Sequence, residues 1–125
     1  MNALEIGQRL VELARADKDG QALDELYADS IVSVEVANPG EGEGQRWEGI
    51  AAVKEKHAWW NSVATLHSLT VEGPYAGIGD DQFAVKFAMD ITMEEQGRST
   101  MAEVGVYRVA NGKIVHEAYL PLADG

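Results

Sequence analysis

Apolar residues recur every three or four positions near the start of the chain and every second position near its end. Ile6, Leu10 and Leu13, joined by Ala3 and Ala14, form one stripe, and Asn2 is placed to cap the turn before it. This predicts a first helix running to about Ala16. Asp17-Lys18-Asp19-Gly20 breaks the pattern, and a shorter helix follows with Ala22, Leu23 and Leu26 as its buried side. After Leu26-Tyr27-Ala28-Asp29 the helical period gives way, and Ile31 to Ala37 reads as a strand. Asn38 to Gly44, with one proline and three glycines, reads as a loop. It lacks the Lys-Ser/Thr of a phosphate-cradling loop and carries two glutamates. Gln45 to Trp47 is a candidate return strand. From Gly49 to about Ser62 a third helix is predicted, with Ile50, Val53, His57 and Trp60 on one face and Trp59 beside it. Lys54, Glu55 and Lys56 are assigned to its outside.

Strict alternation governs the rest. Leu66 to Gly73 is a strand that ends at Pro74. From Gln82 to Glu94, Phe83, Val85, Phe87, Met89, Ile91 and Met93 share one face, while Ala84, Lys86, Ala88, Asp90 and Thr92 share the other. Glu95 to Arg98 turns the chain into a hairpin centred on Asn111-Gly112, a pair in which both positions tolerate positive φ. In its first arm Met101, Glu103, Gly105 and Tyr107 point one way, and Ala102, Val104, Val106 and Arg108 the other. In its second arm the register leaves two choices, His116 or Glu117 inward. The face of Ile114, His116, Ala118 and Leu120 is the more apolar and is taken as the inner one. Helices first and strands last predict an α+β fold with helices packed on one face of a curved antiparallel sheet. Such a sheet leaves a cone-shaped cavity, and apolar pockets with a few polar groups are the usual binding sites.

Composition narrows the partners. The 125 residues, 46% hydrophobic and 25% charged, suit one domain over 1–125 with a sizeable core. There is no cysteine, and His57, His67 and His116 stand apart without metal-ligand spacing, so no metal site is expected. A net charge of −11, from 10 basic and 21 acidic residues, argues against nucleic acid and against anionic membrane surfaces as partners. No apolar run approaches the roughly 20 residues of a membrane span, and the opening MNALEIGQRL has no apolar signal core. A cytoplasmic location is the expectation.

LYADS followed by a strand bearing an acid, WEGIAAVKEKH, and QGRSTMAEVGVYRVANGKIVHEAYLPL together resemble the nuclear transport factor 2-like superfamily. The resemblance is to its SnoaL-like, polyketide-cyclase-like branch, with ketosteroid isomerase as a more distant relative. It spans nearly the whole chain and implies a cystatin-like cone. It fixes no single activity, since that fold hosts isomerases, cyclases, dehydratases and non-catalytic modules. Residue by residue, the general-base aspartate of ketosteroid isomerases falls at Glu35, six positions after Asp29. The two oxyanion donors of those enzymes fall at Leu10 and Gly105, which carry no donor side chain. Ketosteroid isomerase activity itself is therefore not expected. His57 falls where those enzymes place a pocket tyrosine, and Glu103 projects from the same face as Gly105.

The candidate site is accordingly Glu35 as base, with His57 and Glu103 as donor or orienting groups, and Trp59, Trp60, Phe87, Met89, Met101, Tyr107 and His116 as pocket lining. Tyr119 is a further lining candidate, and Tyr27 is read as structural. The expected activity is cofactor-independent isomerisation, cyclisation or dehydration of a small, mostly apolar carbonyl compound. The alternative is a non-catalytic dimeric module whose cavity binds a small ligand. The resemblance also implies a homodimer through the outer sheet face, where Lys86 and Asp90 lie.

Overall fold

The computed structural model describes residues 1–36 and 44–123. Helix α1 spans Ala3–Arg15. The Asn2 side chain accepts from the Glu5 amide, and the Glu5 side chain accepts from the Asn2 amide, a reciprocal cap that satisfies two otherwise orphan donors. Helix α2 covers Asp19–Leu26, and strand β1 follows at once over Tyr27–Glu35, beginning four residues earlier than the Ile31 expected from its apolar run. Ala37 and most of the predicted loop, 38–43, lie outside the described residues. Strand β2 is Gln45–Glu48, helix α3 Ile50–Val63, and four strands complete the chain: β3 Ala64–Ala76, β4 Gln82–Met93, β5 Gly97–Ala110 and β6 Lys113–Pro121. Pro74 does not end β3. The strand continues to Ala76, because its pairing with β4 is interrupted between Glu72 and Tyr75 and resumes beyond, so the missing proline donor is absorbed at an irregularity.

The six strands form one sheet in the order β2-β1-β6-β5-β4-β3. All neighbours are antiparallel except β1 and β6, which run parallel. This α+β arrangement, three helices against a single sheet, is the predicted one. The hairpin prediction also holds: Asn111 and Gly112 have φ of 52° and 75°, and Ala110 pairs with Lys113 across them. The core lies between the sheet and the first two helices, where Ile6, Leu26, Ile31, Phe83, Val85, Tyr107 and Ile114 are fully buried. At Gly7 helix α1 approaches the sheet so closely that a Cβ would lie 2.9 Å from both Phe83 and Pro74. Helix α3 stands further out and buries fully only Val53. The space it leaves above the sheet is the cavity.

One parity expectation is reversed. Val109 pairs with Ile114, but Arg108 pairs with His116, so two residues of β6 are spent against one step of β5. The extra residue, Val115, forms a β-bulge, which inverts the alternation downstream of it. Ile114 is inward before the bulge, and Glu117, Tyr119 and Pro121 are inward after it. His116 is on the outer face, between Val32 of β1 and Arg108 of β5. Partial burial, with the Arg108 and Arg46 charges, pushes its pKa down.

Candidate functional site

The cavity has a volume of about 990 Å³ and is walled by α1, α2 and α3 on one side and by residues of all six strands on the other. All three carboxyl or imidazole candidates, Glu35, His57 and Glu103, border it. So do Trp59, Trp60, Phe87, Met89, Met101 and Tyr107, whereas His116 does not. Glu117 takes the place foreseen for His116. Lys56 also lines the cavity, against its expected place on the outside of α3. It is three residues after Val53 and four before Trp60, hence on their face of the helix. Its side chain is only 18% exposed.

Two polar clusters share this space. In the first, Lys56 Nζ pairs with Glu35 Oε1 at 2.6 Å and donates to Ser33 Oγ at 3.1 Å. The ammonium lies 4.3 Å from the ring centroid of Trp47 and 5.1 Å from that of Tyr119, so two π-faces as well as a carboxylate hold it. The second cluster is built on Glu117, which is 3% exposed. Its carboxyl group accepts hydrogen bonds from Tyr27 at 2.5 Å, Tyr119 at 2.7 Å and Ser33 at 2.9 Å, and Tyr107 donates in turn to Tyr119 at 3.2 Å. Burial and the Glu117 charge raise the pKa of all three phenols well above the ordinary tyrosine value, which keeps them protonated and donating at neutral pH. Ser33 joins the clusters, accepting from Lys56 and donating to Glu117. Tyr27, read from sequence as structural, is thereby one of the donors at the cavity floor.

Glu103 belongs to neither cluster. It projects from β5 between Phe87 of β4 and Pro121 of β6. Among the described residues no hydrogen-bond or ion-pair partner is found for its carboxyl group. Burial, and then the charge of Glu35, raise its pKa to about 7, against the opposing pull of Lys56. His57 is different again. Its Nε2 is 2.7 Å from Asp19 Oδ2 at the start of α2, and this bond raises the pKa of His57 and lowers that of Asp19. The pair ties α3 to α2 beside the cavity. Among the described residues no group of three or more His, Cys, Asp or Glu side chains is disposed to hold a metal ion.

The site therefore contains a buried carboxyl group without a partner among the described residues (Glu103), a cation held by several neighbours (Lys56) and a hydroxyl–carboxyl network (Glu117), around a wall of Phe87, Met89, Met101 and Trp60. Glu103 was placed on the cavity wall from the sequence; Lys56 and Glu117 were not. Helical spacing carried the signal for Lys56, but its charge argued it outward. Glu117 was legible only with the bulge in hand.

Comparison with known proteins places this architecture. A family model described as SnoaL-like domain matches residues 1–120. Among solved structures, a candidate SnoaL-like polyketide cyclase from Mesorhizobium loti is 38% identical, with 96% of this chain and 99% of that chain covered and a TM-score of 0.84. A Xanthomonas campestris protein of unknown function with a cystatin-like fold is 16% identical over 98% of this chain and 92% of that chain, TM-score 0.73. A Mycobacterium tuberculosis protein solved in complex with estradiol-17β-hemisuccinate is 21% identical over 98% of this chain and 95% of that chain, TM-score 0.72. No curated protein matches the chain. The last two likenesses speak for the fold alone. The match over all but the last five residues, together with the cone of helices on a curved sheet, establishes that the chain belongs to the SnoaL-like domain family.

Proposed function

We propose that the cavity takes a small, largely apolar carbonyl compound and that Glu103 transfers a proton to and from the carbon beside its carbonyl. The observation that carries this reading is the placement of Glu103, a buried cavity-wall carboxyl group with no hydrogen-bond or ion-pair partner among the described residues, whose pKa burial and the Glu35 charge raise to about 7. Both of its protonation states are populated at neutral pH, which is the condition for efficient general acid–base catalysis. Glu35, the base expected from the resemblance, is engaged by Lys56 and passes that role to Glu103. In the step proposed, ionised Glu103 removes the α-proton, and the C–H electron pair moves into a C=C bond while the carbonyl electrons move onto oxygen. Return of the proton at another carbon gives isomerisation. Attack of the enolate on a second carbonyl, with the proton returned from Glu103 to the new alkoxide, gives cyclisation, and expulsion of a β-hydroxyl, which takes that proton and leaves as water, gives dehydration. No cofactor is required for any of the three. The apolar wall favours a ligand with an apolar body, and the steroid complex of the mycobacterial neighbour is in keeping with that.

The test is α-proton exchange of 2-tetralone in D2O, followed by NMR. Exchange above the buffer rate is expected with the wild-type protein, falling by about 10²-fold or more in Glu103→Gln. Exchange undiminished in that variant removes Glu103 from the role. A second reading, a binding module without turnover, is favoured by the lack of donor side chains at Leu10 and Gly105. It is distinguished by ligand-dependent thermal stabilisation without any exchange.

A further inference from the structure

Any reaction that creates an enolate in this cavity needs something to hold the developing negative oxygen, and Leu10 and Gly105 do not provide it. We propose that Lys56 is that group: its ammonium polarises the ligand carbonyl and takes the oxyanion. This rests on the carbonyl reading given above and names the second catalytic residue of the same site.

Three observations converge on it. Lys56 borders the cavity on the face of α3 that carries Val53 and Trp60. An ammonium has three donors. Among the described residues, Glu35 and Ser33 engage two of them, at 2.6 and 3.1 Å, and the third has aromatic rings but no oxygen or nitrogen acceptor, which a ligand carbonyl would supply. Finally, the ammonium is held in place from several sides, by Glu35, Ser33, Trp47 and Tyr119. A charge fixed before the reaction stabilises a transition state without reorganising, which is where such groups act most strongly. Glu117 anchors this arrangement through Ser33, whose hydroxyl faces Lys56 with its oxygen and Glu117 with its hydrogen. Ser33 and Glu35 are positioning residues, since they act through Lys56.

The charge balance also favours the assignment. Glu35, Glu103 and Glu117 leave the site with more carboxyl groups than cations, so an added anion would be poorly received. Enolate formation adds none. One negative charge leaves Glu103, whose environment disfavours it, and appears on an oxygen beside Lys56. The transfer is therefore downhill in local field even though the cavity as a whole is acidic.

The experiment uses 2-naphthol, an enol mimic with an absorbance band that separates phenol from phenolate, bound to the intact protein. An ammonium in contact lowers the pKa of the bound hydroxyl, and its loss in Lys56→Met raises it by about one unit or more. Lys56→Arg keeps the charge and retains most of the shift. Because Lys56→Met strands Glu35, the double variant Lys56→Met/Glu35→Gln is measured alongside and is expected to show the same loss of the shift. Binding with an unchanged hydroxyl pKa in both Met variants overturns the assignment, as does failure of the wild type to bind 2-naphthol. The tetralone exchange separates the two readings. If Glu103→Gln abolishes exchange and the Met variants leave it intact, the role of Lys56 falls while that of Glu103 stands.

Discussion

Glu103 and Glu117 are two carboxyl groups on neighbouring strands of one cavity, and their surroundings differ. Glu117 has three hydroxyl donors; Glu103 has desolvation and like charge. Tyr27→Phe removes one buried donor from Glu117 and is expected to cost about 1–3 kcal/mol, read from the urea midpoint at constant m. Tyr107→Phe, which loses only the outermost bond of the chain at 3.2 Å, is expected to cost less. The pH dependence of stability runs the other way from the usual carboxylate. With a folded pKa of about 7, above the ordinary glutamate value of 4.5, the folded state binds more protons between those values. Stability contributed by Glu103 is therefore lost as pH rises from about 4.5 through about 7. Glu103→Gln should flatten that part of the curve and exceed wild type at pH 8 by on the order of 3 kcal/mol at most. His57, also raised, loses its stabilisation with rising pH as well, so the difference between wild type and variant is the quantity to plot. At this scale the sequence was partly legible. Strand parity put Glu103 on the face of Gly105, and the resemblance turned that face inward. Lys56 was misassigned because a charged side chain was taken as solvent-facing, whereas long cationic side chains can lay an apolar stem along a wall and keep the head on a polar partner.

Elements were read better than their joints. The helices, the long alternating strands and the Asn-Gly hairpin follow from periodicity and turn chemistry that each segment carries within itself. The bulge at Val115 does not, because it is a mismatch between two strands and is invisible in either one. It decided whether His116 or Glu117 faces the cavity, so a single unpaired residue changed the chemistry of the site. The passage of β3 beyond Pro74 is the same kind of fact. Helix α1 depends on a similar fit. Gly7→Ala brings the propensity gain of alanine in a helix, about 1 kcal/mol, but drives a methyl to 2.9 Å from Phe83 and Pro74. A net loss of about 1 kcal/mol is expected, seen as a thermal midpoint lower by several degrees.

For the molecule as a whole, the sheet has a working face and an outer face. On the outer face Tyr75, Ala84, Val106 and Ala118 line up across β3 to β6, with Leu120 near them, and Tyr75, Val106 and Leu120 are 56%, 47% and 47% exposed. A second copy of the chain packed there would cover this row. A dimeric mass in sedimentation at micromolar concentration is the expected result, and Val106→Lys should shift it toward monomer. No helix among the described residues is long and apolar enough to cross a membrane. The acidity, a net −11, set an expectation about partners and carried no information about the cavity, where Lys56 puts a cation. The cavity wall has one more property. The chain contains three tryptophans, and Trp47, Trp59 and Trp60 all border the cavity. The rest of the protein has none, so its intrinsic tryptophan emission is a local signal. Quenching or a colour shift on adding a compound reports events at this one place, and the protein is its own fluorescent sensor for whatever enters.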